Sequence, residues 1–530
     1  MLFTSYEFIA FLILLFILYY AIPARHQWKL LLLASYVFYF VSGWKNGLFI
    51  LLTTVSTYFL AKGIDKLHRE QAAYLKEHKK EMSKEERKGY KAKIKSRQWR
   101  LLLMGLFLNF GILAVLKYTN FAIANVNGLL SFWGTEKRLP FLNLLLPLGI
   151  SFYTFITMGY LIDVYRGKYP AETCLGRLAL FVSFFPQLIQ GPINRYDEMK
   201  ETLYTEHLFD AREIAFGLER VLWGFFKKLV IADRILTGVT TIIKAPEVYD
   251  GIYVFVGMMF YALQLYADFT GGIDITVGVA QVLGIRVREN FIRPYFSKNI
   301  AEYWRRWHIS LGAWFTEYIF YPVSVCQPML NFSRFCRKHF GDYVGKRMPV
   351  YVASLAVWFT TGIWHGASWN FIVWGLLNGI IIILSQECEP LYARFHSRFS
   401  VAGTWWYSLF QVVRTVLLMS SLRMLDCYRN VPLTFRMFGD MLLHSRLSQL
   451  FDGRLMSLGL TMSDYLVLAL GTVVLIGVSL AGRNGSVREK LAARPAPVRY
   501  AVIYSLFLCT LIIGAYGVGY DSSQFIYNQF

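Results

Sequence analysis

Long apolar runs separated by short polar turns dominate the chain. FIAFLILLFILYYAI from Phe8, LFILLTTVSTYFLA after Gly47 and YLVLALGTVVLIGVSLAG from Tyr465 carry no charged residue. Each approaches the roughly 20 apolar residues needed to cross about 30 Å of hydrocarbon as a helix. Membrane β-strands would instead alternate over segments of about ten residues, and this pattern is absent. The pattern predicts an all-α polytopic membrane protein with roughly 11–13 transmembrane or re-entrant helices, some too short to span. The segments begin near Tyr6, Leu30, Leu48, Leu101, Phe141, Leu178, Ala215, Ile252, Ile309, Tyr351, Phe371, Trp405, Tyr465 and Ala501.

The breaks are as informative as the runs. SFFPQLIQGPINR, from Ser183 to Arg195, interrupts an apolar stretch with two prolines and a glycine. A broken helix at membrane depth is tolerated only where protein or a cavity surrounds it. Residues 64–100 form one long basic insertion, rich in Lys and Arg from Lys66 to Arg100. The positive-inside rule places it in the cytoplasm, with the PARHQWK turn inside and the N-terminus outside. Its composition predicts an amphipathic helix on anionic headgroups, with a partner-docking surface as the alternative. The basic loop from Ala481 to Tyr500 is expected on the same side. Glu7 is the first charge, so the opening run reads as a retained span and not a cleaved leader.

Composition agrees. Of 530 residues, 55% are hydrophobic and 17% charged, with mean hydropathy +0.40. The net charge of +21 is spread over loops between spans, which favours retention of cations at a membrane face over nucleic-acid binding. The six cysteines are far apart and form no CxxC, which argues against a zinc site or a disulfide framework.

Two of the nine histidines lie in apolar surroundings. His308 sits in WRRWHISLGAWF and His365 in VWFTTGIWHGASWNF. An ionisable side chain in a span is costly and points to function, and imidazole exchanges protons near neutrality. A neutral core histidine bonded to a carbonyl is the structural alternative. Gln264, Asp268 and Asp274 occupy the apolar stretch YALQLYADFTGGIDITVG. Asp268 is expected to pair with an arginine or to orient an imidazole, or else to form a buried ion pair that fixes helix packing. Arg305 and Arg306 either line a polar cavity or snorkel to headgroups. No GxSxG, P-loop, HExxH or dinucleotide fingerprint is present.

WRRWHISLGAWF followed by GIWHGASWNFIVWG resembles the membrane-bound O-acyltransferase (MBOAT) family. LPLGISFYTFITMGYLIDVYRG, FVSFFPQLIQGPINR, GFFKKLVIADR and the stretch from Tyr261 to Leu311 are similar to its bacterial alginate O-acetyltransferase branch, as are MLFTSYEF and FIYNQF. The teichoic-acid D-alanylation branch shares both histidine blocks. The segment from Phe320 has no glycine before Gly341, where alginate-type members carry a Gly- and Arg-rich stretch, and Asn528 stands where Phe is usual.

The resemblance implies a ring of helices around a funnel or tunnel. It implies one membrane domain over residues 1–530, with a catalytic core at 141–380 and C-terminal membrane helices at 400–530. His365 and His308 are the implied catalytic residues. Arg305, Trp307, Asp268, Gln264, Asn290, Trp364 and Ser310 are candidates for substrate binding. His365 would act as general base on a hydroxyl. The implied co-substrate is an acyl thioester, acetyl-CoA or an acyl-carrier protein, with no tightly bound cofactor and no metal. The implied acceptor is an extracellular or cell-wall polysaccharide. An accessory extracellular acyl-handling protein, membrane lipids and a multi-pass position in the bacterial cytoplasmic membrane complete the expectation. A transporter or scaffold with structural histidines is the alternative of another class.

Overall fold

Apolar periodicity becomes helix throughout. The structure, a computed structural model, describes residues 4–41 and 43–516; the first three residues and the closing FIYNQF with Asn528 lie outside them. Every regular element among the described residues is helical, apart from one isolated antiparallel bridge between Phe291 and Trp307. Among the described residues seven helices are long and apolar enough to cross a membrane: Trp44–Glu77, Lys84–Phe132, Ile252–Val282, Trp369–Glu387, Trp405–Tyr428, Met462–Asn484 and Ala496–Ile513. Tyr6–Ala21 is apolar but shorter. The segment expected near Phe141 becomes helical only at Ile150, because Pro140, Pro147 and a left-handed Gly149 (φ 67°) hold the chain irregular before it.

The chain forms two compact units. Among the described residues, the first comprises residues 4–214 with 280–288, the second 215–279 with 289–516. In the first, the basic insertion does not form a separate surface helix. Trp44–Glu77 runs through its first half, and Lys84–Phe132 starts at a capping box between Ser83 and Glu86. Tyr74 stacks on Tyr90 with ring centroids 4.3 Å apart, so the two helices pair beyond their apolar portions. Lys and Glu sustain helix here through good intrinsic propensity and pairs such as Asp65–Arg69. The proline-interrupted segment is broken as expected. Leu175–Ser183 ends at Phe184, Phe185–Gln190 is a single short helix, and the chain is extended at Gly191.

In the second unit, two helices approach to backbone contact. A Cβ on Gly224 would lie 2.6 Å from the Gly271 carbonyl oxygen, and one on Gly278 would lie 2.7 Å from that of Gly217. Small residues allow such an approach inside a membrane, where packing replaces the hydrophobic drive between helices. The approach holds Ile252–Val282 inside the protein, with 61% of its most apolar window buried, against 6% for Ala496–Ile513.

Substituting Gly271→Val is expected to destabilise the fold by about 1–3 kcal/mol through overpacking. Thermal unfolding of the detergent-solubilised protein measures this; an unchanged melting temperature would mean the helices separate freely.

Candidate active site

His308 is placed by a corner, not by a span. Residues 290–292 run antiparallel to 306–309: the Ile292 amide donates to the Arg306 carbonyl (3.0 Å) and the Ile309 amide to the Asn290 carbonyl (3.0 Å). Between these bonds Phe291 bridges Trp307. His308 itself adopts the left-handed region (φ 50°, ψ 51°) and starts the helix Ile309–Phe315. A non-glycine residue there is uncommon, and such strain persists where surrounding contacts hold it.

Asn290 supplies that hold. Its Oδ1 accepts from the Ser310 amide (3.0 Å) and the Ser310 hydroxyl (2.9 Å), and lies 3.3 Å from His308 Nδ1. An oxygen already accepting an amide proton is the acceptor in the third contact too. It therefore favours the tautomer with hydrogen on Nδ1 and leaves the lone pair on Nε2.

His365 ends the second of two helices that meet at a kink at Gly341 (φ 86°) within Gln327–His365, and Gly366, in extended backbone, turns the chain toward Trp369–Glu387. The turn is tight. A Cβ on Gly362 would meet the Phe371 carbonyl at 2.5 Å, and one on Gly366 would enter the Phe371 ring. The glycines of GIWHG thus let the two helices close over the imidazole.

The two histidines share one aromatic cluster. Trp364 lies between them, its ring 5.8 Å from His308 and 5.1 Å from His365. Trp374 packs edge-on to His365 at 4.9 Å, and Phe269 edge-on to His308 at 5.0 Å. His308 is 3% exposed and His365 9%, so bulk water is largely excluded from both rings. Trp307 is buried and stacks on Tyr303 at 5.5 Å.

The remaining sequence-predicted residues divide. Asn290, Ser310, Trp307 and Trp364 belong to this cluster. Gln264 is buried on Ile252–Val282, with its side-chain oxygen unpartnered among the described residues. Asp268 is engaged by a lysine: Lys228 reaches it at 2.5 Å and Asp233 at 2.7 Å. Arg305 is exposed, and Arg306 pairs with Glu302 on its own helix at 2.6 Å.

Sequence reasoning missed Lys227, Lys228, Arg423 and Asp426. Lys227 and Lys228 lie in the π-helical stretch Phe226–Ala232. Lys227 binds Asp274 at 2.5 Å while Lys228 binds Asp268. The two aspartates are six residues apart on the facing helix, about 9 Å along its axis, so adjacent lysines clamp two of its turns. Two lysines in the apolar stretch GFFKKLVIADR were the available signal.

Arg423 is 5% exposed and forms an ion pair with Asp426 at 2.6 Å. Its guanidinium lies 4.6 Å from the Trp374 ring centroid, 5.4 Å from Trp307 and 5.7 Å from Trp304. The arginine thus touches the tryptophans beside both histidines, a desolvated cation–π arrangement. Among the described residues no three His, Cys, Asp or Glu side chains converge on a metal position.

Comparison with known proteins places the chain in a family. The membrane-bound O-acyltransferase family matches residues 175–425, which include both histidines. The probable alginate O-acetylase AlgI of Azotobacter vinelandii is 33% identical over 396 residues, 73% of this chain and 69% of the relative. The chain belongs to the membrane-bound O-acyltransferase family. It is a multi-pass membrane O-acyltransferase. The peptidoglycan O-acetyltransferase of Helicobacter pylori is 32% identical over 321 residues, 56% of this chain and 57% of the relative. The teichoic acid D-alanyltransferase of Bacillus subtilis is 28% identical over 282 residues, 52% of this chain and 66% of the relative.

In this MBOAT protein, Arg423→Met leaves the Asp426 carboxylate buried without its cation and is expected to cost about 3–5 kcal/mol. The double variant Arg423→Met/Asp426→Leu should recover part of that loss. Thermal unfolding of both in one detergent checks this; equal destabilisation of single and double variants would remove the ion pair as the cause. Asn290→Ala is expected to cost about 1–3 kcal/mol, because the buried Ser310 amide and hydroxyl lose their acceptor; an unchanged unfolding temperature would show that water replaces it.

Proposed function

We propose that this protein transfers an acyl group, acetyl in the first instance, from a thioester donor on the cytoplasmic side to hydroxyls of an extracellular or cell-wall polysaccharide. The observation that carries the reading is the convergence of both motif histidines on Trp364 inside one buried aromatic cluster. Relatives named for alginate and peptidoglycan acetylation supply the acceptor class, and the basic loops of the chain supply the orientation. The host membrane is the bacterial cytoplasmic membrane, and a separate extracellular acyl-handling protein takes part on the outer face.

In this mechanism His365 takes the proton from the acceptor hydroxyl as the oxygen attacks the thioester carbonyl carbon. The C–S bond breaks, and the departing thiolate receives the proton from the imidazolium. His308, held with hydrogen on Nδ1, keeps Nε2 to accept a bond from donor or acceptor. Trp307 and Trp364 wall the acyl position. Exclusion of water favours transfer over hydrolysis, and fixed dipoles stabilise charge on the carbonyl oxygen.

Cells producing the wild type and His365→Ala at matched membrane levels provide the test. Ester-linked groups released from their surface polysaccharide by mild base are identified by mass. Acetate is expected from the wild type, reduced at least about a hundredfold in the variant. Release of D-alanine instead would assign the chain the chemistry of the teichoic-acid relatives. Unchanged esters in the variant would return His365 to a structural role.

A further inference from the structure

The second unit contains a cavity of about 540 Å³ outside the histidine cluster. Its size suits a small-molecule or lipid-chain site. One end is charged. Arg220, Lys227, Arg293 and Arg488 line it together with Glu219, Asp274 and Glu289.

The carboxylates are already engaged. Glu289 receives Arg220 through both oxygens at 2.5 and 2.6 Å. Asp274 receives Arg220 at 2.9 Å and Lys227 at 2.5 Å. Glu219 is reached by Arg499 at 3.5 Å. Arg293 has no ion pair among the described residues, and Arg488 donates to the Phe216 carbonyl at 2.5 Å. Four cations against three carboxylates leave the charged end with a net positive charge. Arg293 holds its place at a backbone cost, since it is left-handed (φ 48°) directly before Pro294.

The other end is apolar and comes from Val474, Val478, Val502 and Ile503. These residues belong to the two least buried of the seven candidate spans, 17% for Met462–Asn484 and 6% for Ala496–Ile513. Val474 and Val502 are themselves 42% and 48% exposed. The apolar wall thus belongs to helices that have little protein around them and whose composition suits the acyl chains of a bilayer. The charged end lies beside the basic loop at Gly485–Arg488, where a headgroup would sit.

We infer that this cavity binds an anionic glycerophospholipid, its phosphate between Arg293 and Arg488 and an acyl chain along Val474, Val478 and Ile503. A water-soluble thioester donor has no need of a wall open to lipid, whereas a membrane amphiphile matches both ends.

The test uses the full-length protein in detergent, with phosphatidylglycerol and phosphatidylcholine as probes and native mass spectrometry as the readout. The wild type is expected to bind phosphatidylglycerol about tenfold or more tightly than phosphatidylcholine. R293Q/R488Q should lose that preference, and V478W should lower the occupancy of both lipids. Equal affinity of the wild type for the two lipids, or an unaltered preference in R293Q/R488Q, would overturn the assignment. So would displacement of phosphatidylglycerol by acetyl-CoA, which would make the cavity a donor site. The readout is lipid binding and is independent of acyl transfer, so the result stands apart from the polysaccharide assay.

Discussion

A polar atom carried into hydrocarbon has no water to turn to and must find its partner within the protein. This constraint organises the second unit. Lys227 and Lys228 enter an apolar stretch only because Asp274 and Asp268 wait on the facing helix, and the glycine contacts between those helices bring the charges into range. Removal of either sign would leave a buried charge, the costly outcome for such pairs. The clamp therefore fixes the position of Ile252–Val282, which carries Phe269 to the face of His308.

The same logic shapes the candidate active site. His308 is not on a continuous helix. It lies at a strained corner where irregular backbone is satisfied by a short antiparallel ladder and by Asn290, whose single oxygen serves the amide and hydroxyl of Ser310 and faces the imidazole. His365 is placed by different means, at the end of a helix where glycines permit two backbones to close. The two routes converge because Trp364, Trp374 and Trp307 fill the space between them. Arg423 lies against two of these rings and gives the cluster a fixed positive charge paired with Asp426. The result is a dry aromatic site with two imidazoles, suited to moving a proton while excluding competing water.

Much of this was legible in one dimension. Apolar runs set by the thickness of the bilayer, the break from Ser183 to Arg195 and the two histidine blocks are local properties of sequence, legible from residue type and spacing. The basic insertion continues the helices on either side of it. Its charge placed it beyond the apolar layer, but composition alone does not distinguish a helix lying on headgroups from one that continues a span. The unbroken helices Trp44–Glu77 and Lys84–Phe132 show the continuation. Arg305 shows the opposite limit. It neighbours the motif histidine in sequence, yet the helix Ile300–Arg306 leaves it exposed while Trp307 and His308 are buried.

By itself, then, the sequence determined the all-helical membrane class, the likeness to acyl-transferring enzymes and the two imidazoles, since each follows from composition or from residues adjacent in the chain. Tertiary structure alone decided which charges neutralise which. Asp268 meets Lys228, Arg423 meets three tryptophans, and Asn290 holds Ser310 and His308, all across chain separations that periodicity does not encode. The physical reason is that burial specifies that a polar group needs a partner, whereas only the packing of helices, through glycine contacts and strained turns, specifies which partner comes within bonding distance.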